Sequence, residues 1–154
     1  MSKKKGVLLV NLGSPDSAAV GDVRRYLREF LMDGRVLDAP WLIRFFVVHF
    51  LILPFRPKDS AAAYRKVWLP EGSPLVVTSE KVREKLQTRL DVPVELAMRY
   101  QNPGIEKAIG NLLEHAIDEI LLIPLFPHYA MSSYETAVEK TRTVLQRKAS
   151  GIKL

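Results

Sequence analysis

The sequence predicts an α/β domain organised on a doubly wound, mostly parallel β-sheet. Three apolar stretches carry that expectation: residues 6–12 (GVLLVNL), residues 92–98 with Val92, Val94, Leu96 and Met98 in alternation, and residues 120–123 (ILLI). Each is followed by turn residues and then by a segment with apolar positions at helical spacing. Strand, turn and helix in repeated succession is the pattern of βαβ units, whose strands pair in parallel with helices over the sheet faces.

Each element follows from its local chemistry. The first strand runs into Gly13-Ser14-Pro15-Asp16, a turn, and Asp16 or Ser17 is suited to cap the next helix. In that helix Val23, Leu27, Phe30 and Leu31 share one face, with Arg24, Arg25 and Arg28 elsewhere on the surface. A short helix is expected over 60–67. Ser73 as N-cap and Pro74 at the first helical position start another, with Val82, Leu86 and Leu90 as its buried stripe. The second strand ends at Arg99-Tyr100, and Asn102-Pro103 is placed to cap a helix that buries Ile105, Ala108, Ile109, Leu112 and Leu113. The third strand, continuous in apolar residues, reads as buried on both faces; Pro124 and Pro127 then end its pairing. A helix opens at Ser132 with Glu135 as capping-box partner, and it buries Ala137, Val138, Thr141, Val144 and Leu145. Ser150-Gly151 stops it, and Ile152-Lys153-Leu154 reads as the first step of another strand. On that ground residues 1–154 are expected to be one domain of a longer protein.

Residues 39–57 (APWLIRFFVVHFLILPFRP) depart from this regular plan. Between Trp41 and Leu53 only Arg44 and His49 are polar. A helix apolar all round is buried or lies against something apolar, and this one is too short for a membrane span of about 20 residues. Three readings stand open: a buried helix, a hydrophobic flap against a membrane or ligand, and a partner interface. Arg56 and Lys58 at its exit suit a ligand with a greasy body and a carboxylate rim.

The net charge of +6 favours anionic partners. The cations are scattered, apart from residues 3–5 and 142–148, and no RNA- or DNA-binding signature occurs, so nucleic acid is not expected. Absence of cysteine excludes disulfides and thiolate metal sites in this segment and fits a reducing, cytoplasmic compartment. The apolar run at 7–10 is too short for a signal peptide. Neither GxGxxG nor GxxxxGKS follows the first strand, which argues against a Rossmann nucleotide site.

In open α/β sheets ligands bind at the carboxyl ends of the strands. Here those ends carry residues 11–14, 99–102 and 126–133, the last holding His128, Tyr129, Ser132 and Ser133 beside Phe126 and Met131. His115 falls near a helix C-terminus, where a cation is favoured, and His49 suits a hydrogen-bonded core or rim position. His128 has no HxH or HxxxH partner, so a metal site is not expected. Pattern alone leads to an α/β ligand-binding domain with an apolar flap.

Six stretches carry more than pattern. GVLLVNLGSPDS, VRRYLREFLMDGRVLD, LPFRPKDSAAAYRKVW, EGSPL, ELAMRYQNPGIEKA and IPLFPHYAMSSYETA, in order, together resemble the N-terminal half of ferrochelatases. The resemblance implies the chelatase fold of two similar α/β domains, and insertion of Fe2+ into a porphyrin to give haem, with both as substrates and no cofactor required. It implies that residues 38–64 form the active-site lip, with peripheral membrane contact through 41–55. It implies porphyrin contacts at Leu12, Arg56, Tyr64, Ser73, Arg99, Tyr100, Tyr129, Ser132 and Ser133. Among these Arg56, Tyr64 and Ser73 would meet the propionates, and Leu12 would face the ring centre. The family's proton-abstracting His and its Glu partner belong to the C-terminal half. The cysteines of members with an iron–sulfur cluster lie mostly outside this segment too. Two departures stand out: His128 where many members have Gln, and Ala130 to Glu135 in place of the commoner Ser-x-Ser-Thr run. Two other classes of function compete, a non-catalytic porphyrin- or haem-binding module and an unrelated α/β domain that self-associates, as a homodimer, through its apolar segment.

Overall fold

A computed structural model of the chain describes residues 4–154; Lys3, counted above in a basic run, lies outside them. The described residues form strands β1 (Lys5–Gly13), β2 (Val94–Tyr100) and β3 (Glu119–Pro124). The helices are α1 (Val20–Leu31), α2 (Trp41–Phe46), α3 (Arg56–Val67), α4 (Pro74–Gln87), α5 (Ile105–Glu114) and α6 (Thr136–Lys148). Two π-helical turns, Val47–Ile52 and Met131–Glu135, complete the list. The strands make one parallel sheet in the order β2-β1-β3, the α/β class the sequence predicts. The chain divides into two compact units, one running up to Leu12 and then through Thr78–Arg99 and Pro103–Leu154, the other through Gly13–Val77 and Tyr100–Asn102.

In the first unit strand alternation sorts side chains onto two faces. Leu8 and Val10 of β1, Ala97 of β2 and Ile120 of β3 pack with Ile109 and Leu112 of α5 and Val144 and Leu145 of α6. The opposite positions Val7, Leu9, Leu96 and Met98 are buried as well. On that side Asn11 Nδ2 donates to Ser79 Oγ of α4 at 3.0 Å. The sheet is therefore covered from both sides, which is what doubly wound means.

Two expectations change here. The third strand lies at the sheet edge, and Leu121 is 57% exposed rather than buried. Composition marks a strand as apolar; its place in the sheet depends on what pairs beside it. On that edge the Ile120 N–H donates to the Lys153 carbonyl at 2.8 Å, and Lys153 bridges Glu119 in parallel, so the last residues do take a strand step. The α4 stripe also fails, since Val82 is 43% exposed and Leu86 is only half-buried, while Ser79 is the buried residue of that helix.

Three predicted caps are absent, two because their side chains find other partners and one because its residue lies inside a turn of helix. Ala19, not Asp16 or Ser17, occupies the N-cap of α1, and Ser17 Oγ accepts the Ala19 N–H and donates to Asp22. Gly104 precedes α5, and Asn102 donates to Asp16. Ser132 lies inside the second π-helical turn, closed by the Glu135 N–H to the Ala130 carbonyl, and α6 begins four residues later at Thr136.

The second unit is organised on an aromatic cluster. Tyr26 and Phe30 stack one turn apart on α1, and both meet the fully buried Tyr100 edge-on, at 6.4 and 5.3 Å between ring centres. Tyr64 of α3 closes on Tyr26 at 6.5 Å, also edge-on. Burial first, and then the neighbouring phenols Tyr64 and Tyr100, push the Tyr26 phenol far above its ordinary value of 10.0. Burial also raises Tyr64.

A folded value above the unfolded one means that the native state keeps a proton the unfolded chain releases. The contribution is fully present below pH 10 and is lost as pH rises past it. Above pH 10 Tyr26 should therefore steepen the fall in stability by about 1.4 kcal/mol per pH unit. Urea denaturation of the wild type and Tyr26→Phe at stepped alkaline pH checks this; equal slopes for the two would refute it.

Candidate functional site

Because the strands of the first unit run in parallel, their carboxyl ends share one edge, which carries Leu12, Arg99 and the start of the loop after β3. That loop is pinned at its start by the Leu125 N–H donating to the Val10 carbonyl at 2.8 Å. Leu12 is half-buried, and its N–H is taken by the Asn11 side chain at 2.8 Å. Arg99 Nε donates to both the carbonyl and the hydroxyl of Thr136, at 3.1 and 2.7 Å, so the guanidinium is anchored where α6 begins. A doubly held guanidinium keeps a fixed plane, the property that lets arginine recognise a carboxylate through two hydrogen bonds.

Further along the loop Tyr129 is 69% exposed, and its phenol donates to Glu135 at 2.9 Å. That hydrogen bond raises its pKa. Tyr134 packs against the Tyr129 ring at 5.3 Å. Ser132 and Ser133 are half-buried in the π-helical turn, and no other described residue engages either hydroxyl. Such turns recur at functional sites. His128 is exposed on the same loop, and no group of three His, Asp or Glu side chains able to hold a metal ion occurs among the described residues.

The second unit holds the other predicted residues. Arg56 is exposed at the first position of α3, with no partner among the described residues. Tyr64, on the same helix, is half-buried with its ring edge-on to Tyr26. Ser73 is buried just ahead of α4, its carbonyl accepting the Val77 N–H at 2.9 Å. Tyr100 is fully buried and donates to Asp33 at 3.0 Å.

The apolar segment is the unit's most exposed feature, and the buried-helix reading of it fails. Trp41, Leu42, Ile43, Phe46, Phe50, Leu51 and Phe55 are each more than half exposed, whereas Val48 and Leu53 are buried. Rings at four-residue spacing hold the segment in shape: Trp41 stacks on Phe45 at 5.4 Å, and Phe45 on His49 at 4.2 Å. The Leu53 N–H reaches the Val48 carbonyl five residues back, the π-helical spacing. Arg44, polar in an apolar run, clamps the preceding turn by donating to the Leu37 and Ala39 carbonyls at 3.4 and 3.0 Å.

The ferrochelatase family model matches residues 4–154. The chain belongs to the ferrochelatase family. A ferrochelatase of Azotobacter vinelandii is 52% identical over 149 residues, covering 96% of this chain and 43% of that protein. One of Coxiella burnetii is 50% identical over 143 residues, covering 92% and 40%, and one of Opitutus terrae 49% over 153, covering 97% and 44%. The chain thus spans less than half the length of the ferrochelatases it matches.

Two groups that shape the site escaped the sequence reading. Thr136, which anchors Arg99 from 37 positions away, carries no local signal. Tyr26 does: it stands three residues after Val23, on the apolar face already counted.

Proposed function

We propose that this chain supplies the porphyrin-gripping part of an enzyme that inserts Fe2+ into a porphyrin to give haem. The observation that carries the reading is the family match over residues 4–154. The reaction replaces two pyrrole N–H protons with the metal, so the flat ring must bend until its nitrogens point out of plane. Rigid apolar walls supply such strain from binding energy remote from the reacting atoms.

The residues divide the work. Arg56, exposed and with no partner among the described residues, binds a propionate through two parallel N–H···O bonds on one guanidinium edge, with Tyr64 and Ser73 as hydroxyl donors. Arg99 offers an anchored guanidinium, Leu12 faces the ring, and Tyr129, Ser132 and Ser133 line the macrocycle from the loop after β3. Tyr100 acts from beneath, supporting Phe30. Proton removal falls to the His and Glu that the family carries in its C-terminal half.

The exposed apolar residues of 41–55 rest on a membrane surface from a cytoplasmic location. No helix among the described residues is long and apolar enough to cross a membrane, in keeping with peripheral contact. The same surface could pair two copies of the chain, and sedimentation with and without porphyrin tells the two uses apart.

Titrating the chain with porphyrin should give a saturable Soret shift. Arg56→Ala should weaken it by about tenfold or more, the loss of one charge-assisted contact. A folded chain that gives no shift would overturn the reading. The protein in its full natural length should insert Zn2+ or Fe2+ into the ring.

A further inference from the structure

A groove of about 710 Å³ between α1 and the first π-helical turn holds a set of cations that porphyrin binding does not use. Arg24, Arg25 and Arg28 line it from α1, and His49, Leu53 and Pro54 from the other side. Asp22, also on the groove, is already taken: Arg25 pairs with it, and Ser17 donates to it. Arg25 is further held by Asp16 at 3.7 Å.

That leaves Arg24 and Arg28, both exposed and neither engaged by any other described residue. They lie one helical turn apart, a spacing at which like charges repel and destabilise the helix that carries them. A bound anion relieves that repulsion. Gly21, on the same side one turn earlier, also lines the groove, and the space beside it is open, since a Cβ there would meet nothing within 4 Å. His49 is fixed on the facing wall by its Nδ1 contact to the Phe45 carbonyl at 3.0 Å.

The surroundings decide which anion fits. Leu53 and Pro54 on the groove wall are flanked in the chain by Phe50, Leu51 and Phe55, all more than half exposed. Paired free arginines beside an exposed apolar ridge match a lipid, with its phosphate and its acyl chains on adjoining surfaces. A free phosphate ion has no use for the ridge. We propose that this groove is a phosphate site for the headgroup of an anionic phospholipid, occupied when segment 41–55 lies on a bilayer. The proposal rests on the membrane-contact reading above.

Co-sedimentation of the full-length protein with vesicles of phosphatidylcholine alone, and with added phosphatidylglycerol, tests it. Two arginines near a charged surface should favour the anionic vesicles by roughly 10- to 30-fold. Arg24→Gln with Arg28→Gln should abolish that preference. Gly21→Leu, which keeps every charge but fills the groove, should reduce it as well, with an unchanged circular dichroism spectrum confirming the fold. A preference untouched by Gly21→Leu means diffuse attraction and overturns the site. Inorganic phosphate that competes as well as monomeric dihexanoyl-phosphatidylglycerol overturns the lipid assignment. If the membrane reading itself fails, neither vesicle sediments the protein; if only the headgroup site fails, both vesicles do and the variants change nothing.

Discussion

Gly13→Ala is expected to abolish stable folding. Gly13 has a φ of +109°, and a Cβ added there would lie 2.1 Å from the Tyr100 carbonyl oxygen and 3.0 Å from its carbonyl carbon. Those are backbone atoms of a fully buried residue, so no flexible side chain can give way. The positive φ alone costs a side-chain-bearing residue about 1–3 kcal/mol. Moving the end of β2 aside should bring the total to roughly 4 kcal/mol or more, in the exceptional class for a single substitution. Against a typical domain stability of about 5–15 kcal/mol that is most of what holds the fold. Two other glycines calibrate the effect. Gly72 has φ +131° but open space around a Cβ, so Gly72→Ala should cost the strain alone. Gly21→Ala, in the helix α1 with open space, should stabilise by up to about 1 kcal/mol. Urea denaturation of the three variants gives the ranking, and equal midpoints for Gly13→Ala and Gly72→Ala would rule out the clash.

The strands and helices were legible because each is written in a local period. The alternation of β2 and the spacing of Ile105, Ala108, Ile109 and Leu112 in α5 need no distant information, and those positions are buried. What failed was decided by residues far along the chain. Leu121 looks like any apolar strand residue, and only the strand order exposes it. Asn102 is a good cap in isolation, yet Asp16, 86 positions away, is the partner its side chain takes. Glu135 is three residues from Ser132, as a capping box requires, but Ser132 lies inside the π-helical turn rather than at its N-cap, which is Ala130.

The candidate site divides in the same way. Residues 129–133 could be found from the strand–loop–helix pattern, whereas the anchoring of Arg99 by Thr136 could not. The apolar segment shows a different limit. A run that is apolar on every side looks the same whether it is buried or exposed. Exposure of Trp41, Phe46 and Phe50 selects the flap or interface readings over the buried helix, a choice no periodicity could make.

Tyr100→Ala should be the second most damaging change, at about 3–5 kcal/mol, the range for emptying a buried aromatic site. The ring is the contact that Tyr26 and Phe30 share, so its loss loosens the face of α1. Tyr100→Phe separates the phenol from the ring. It keeps the packing and removes the hydrogen bond to Asp33, at a cost of about 1.5–3 kcal/mol for a charged acceptor. Asp33 also accepts the Arg35 N–H on its other carboxylate oxygen at 2.9 Å, and its carbonyl accepts the Val36 and Leu37 N–H groups. The phenol therefore steadies the turn that leads into the apolar segment. If the two groups act as a unit, Tyr100→Phe and Asp33→Asn together should cost clearly less than the sum of the separate changes. Porphyrin titration then separates support from contact. Under the proposed function Tyr100→Phe, once shown to be folded, should keep its Soret shift, because the phenol is buried and does not touch the ring system. A folded Tyr100→Phe chain with no porphyrin binding would instead place that phenol against the ligand and overturn its role as a support for Phe30.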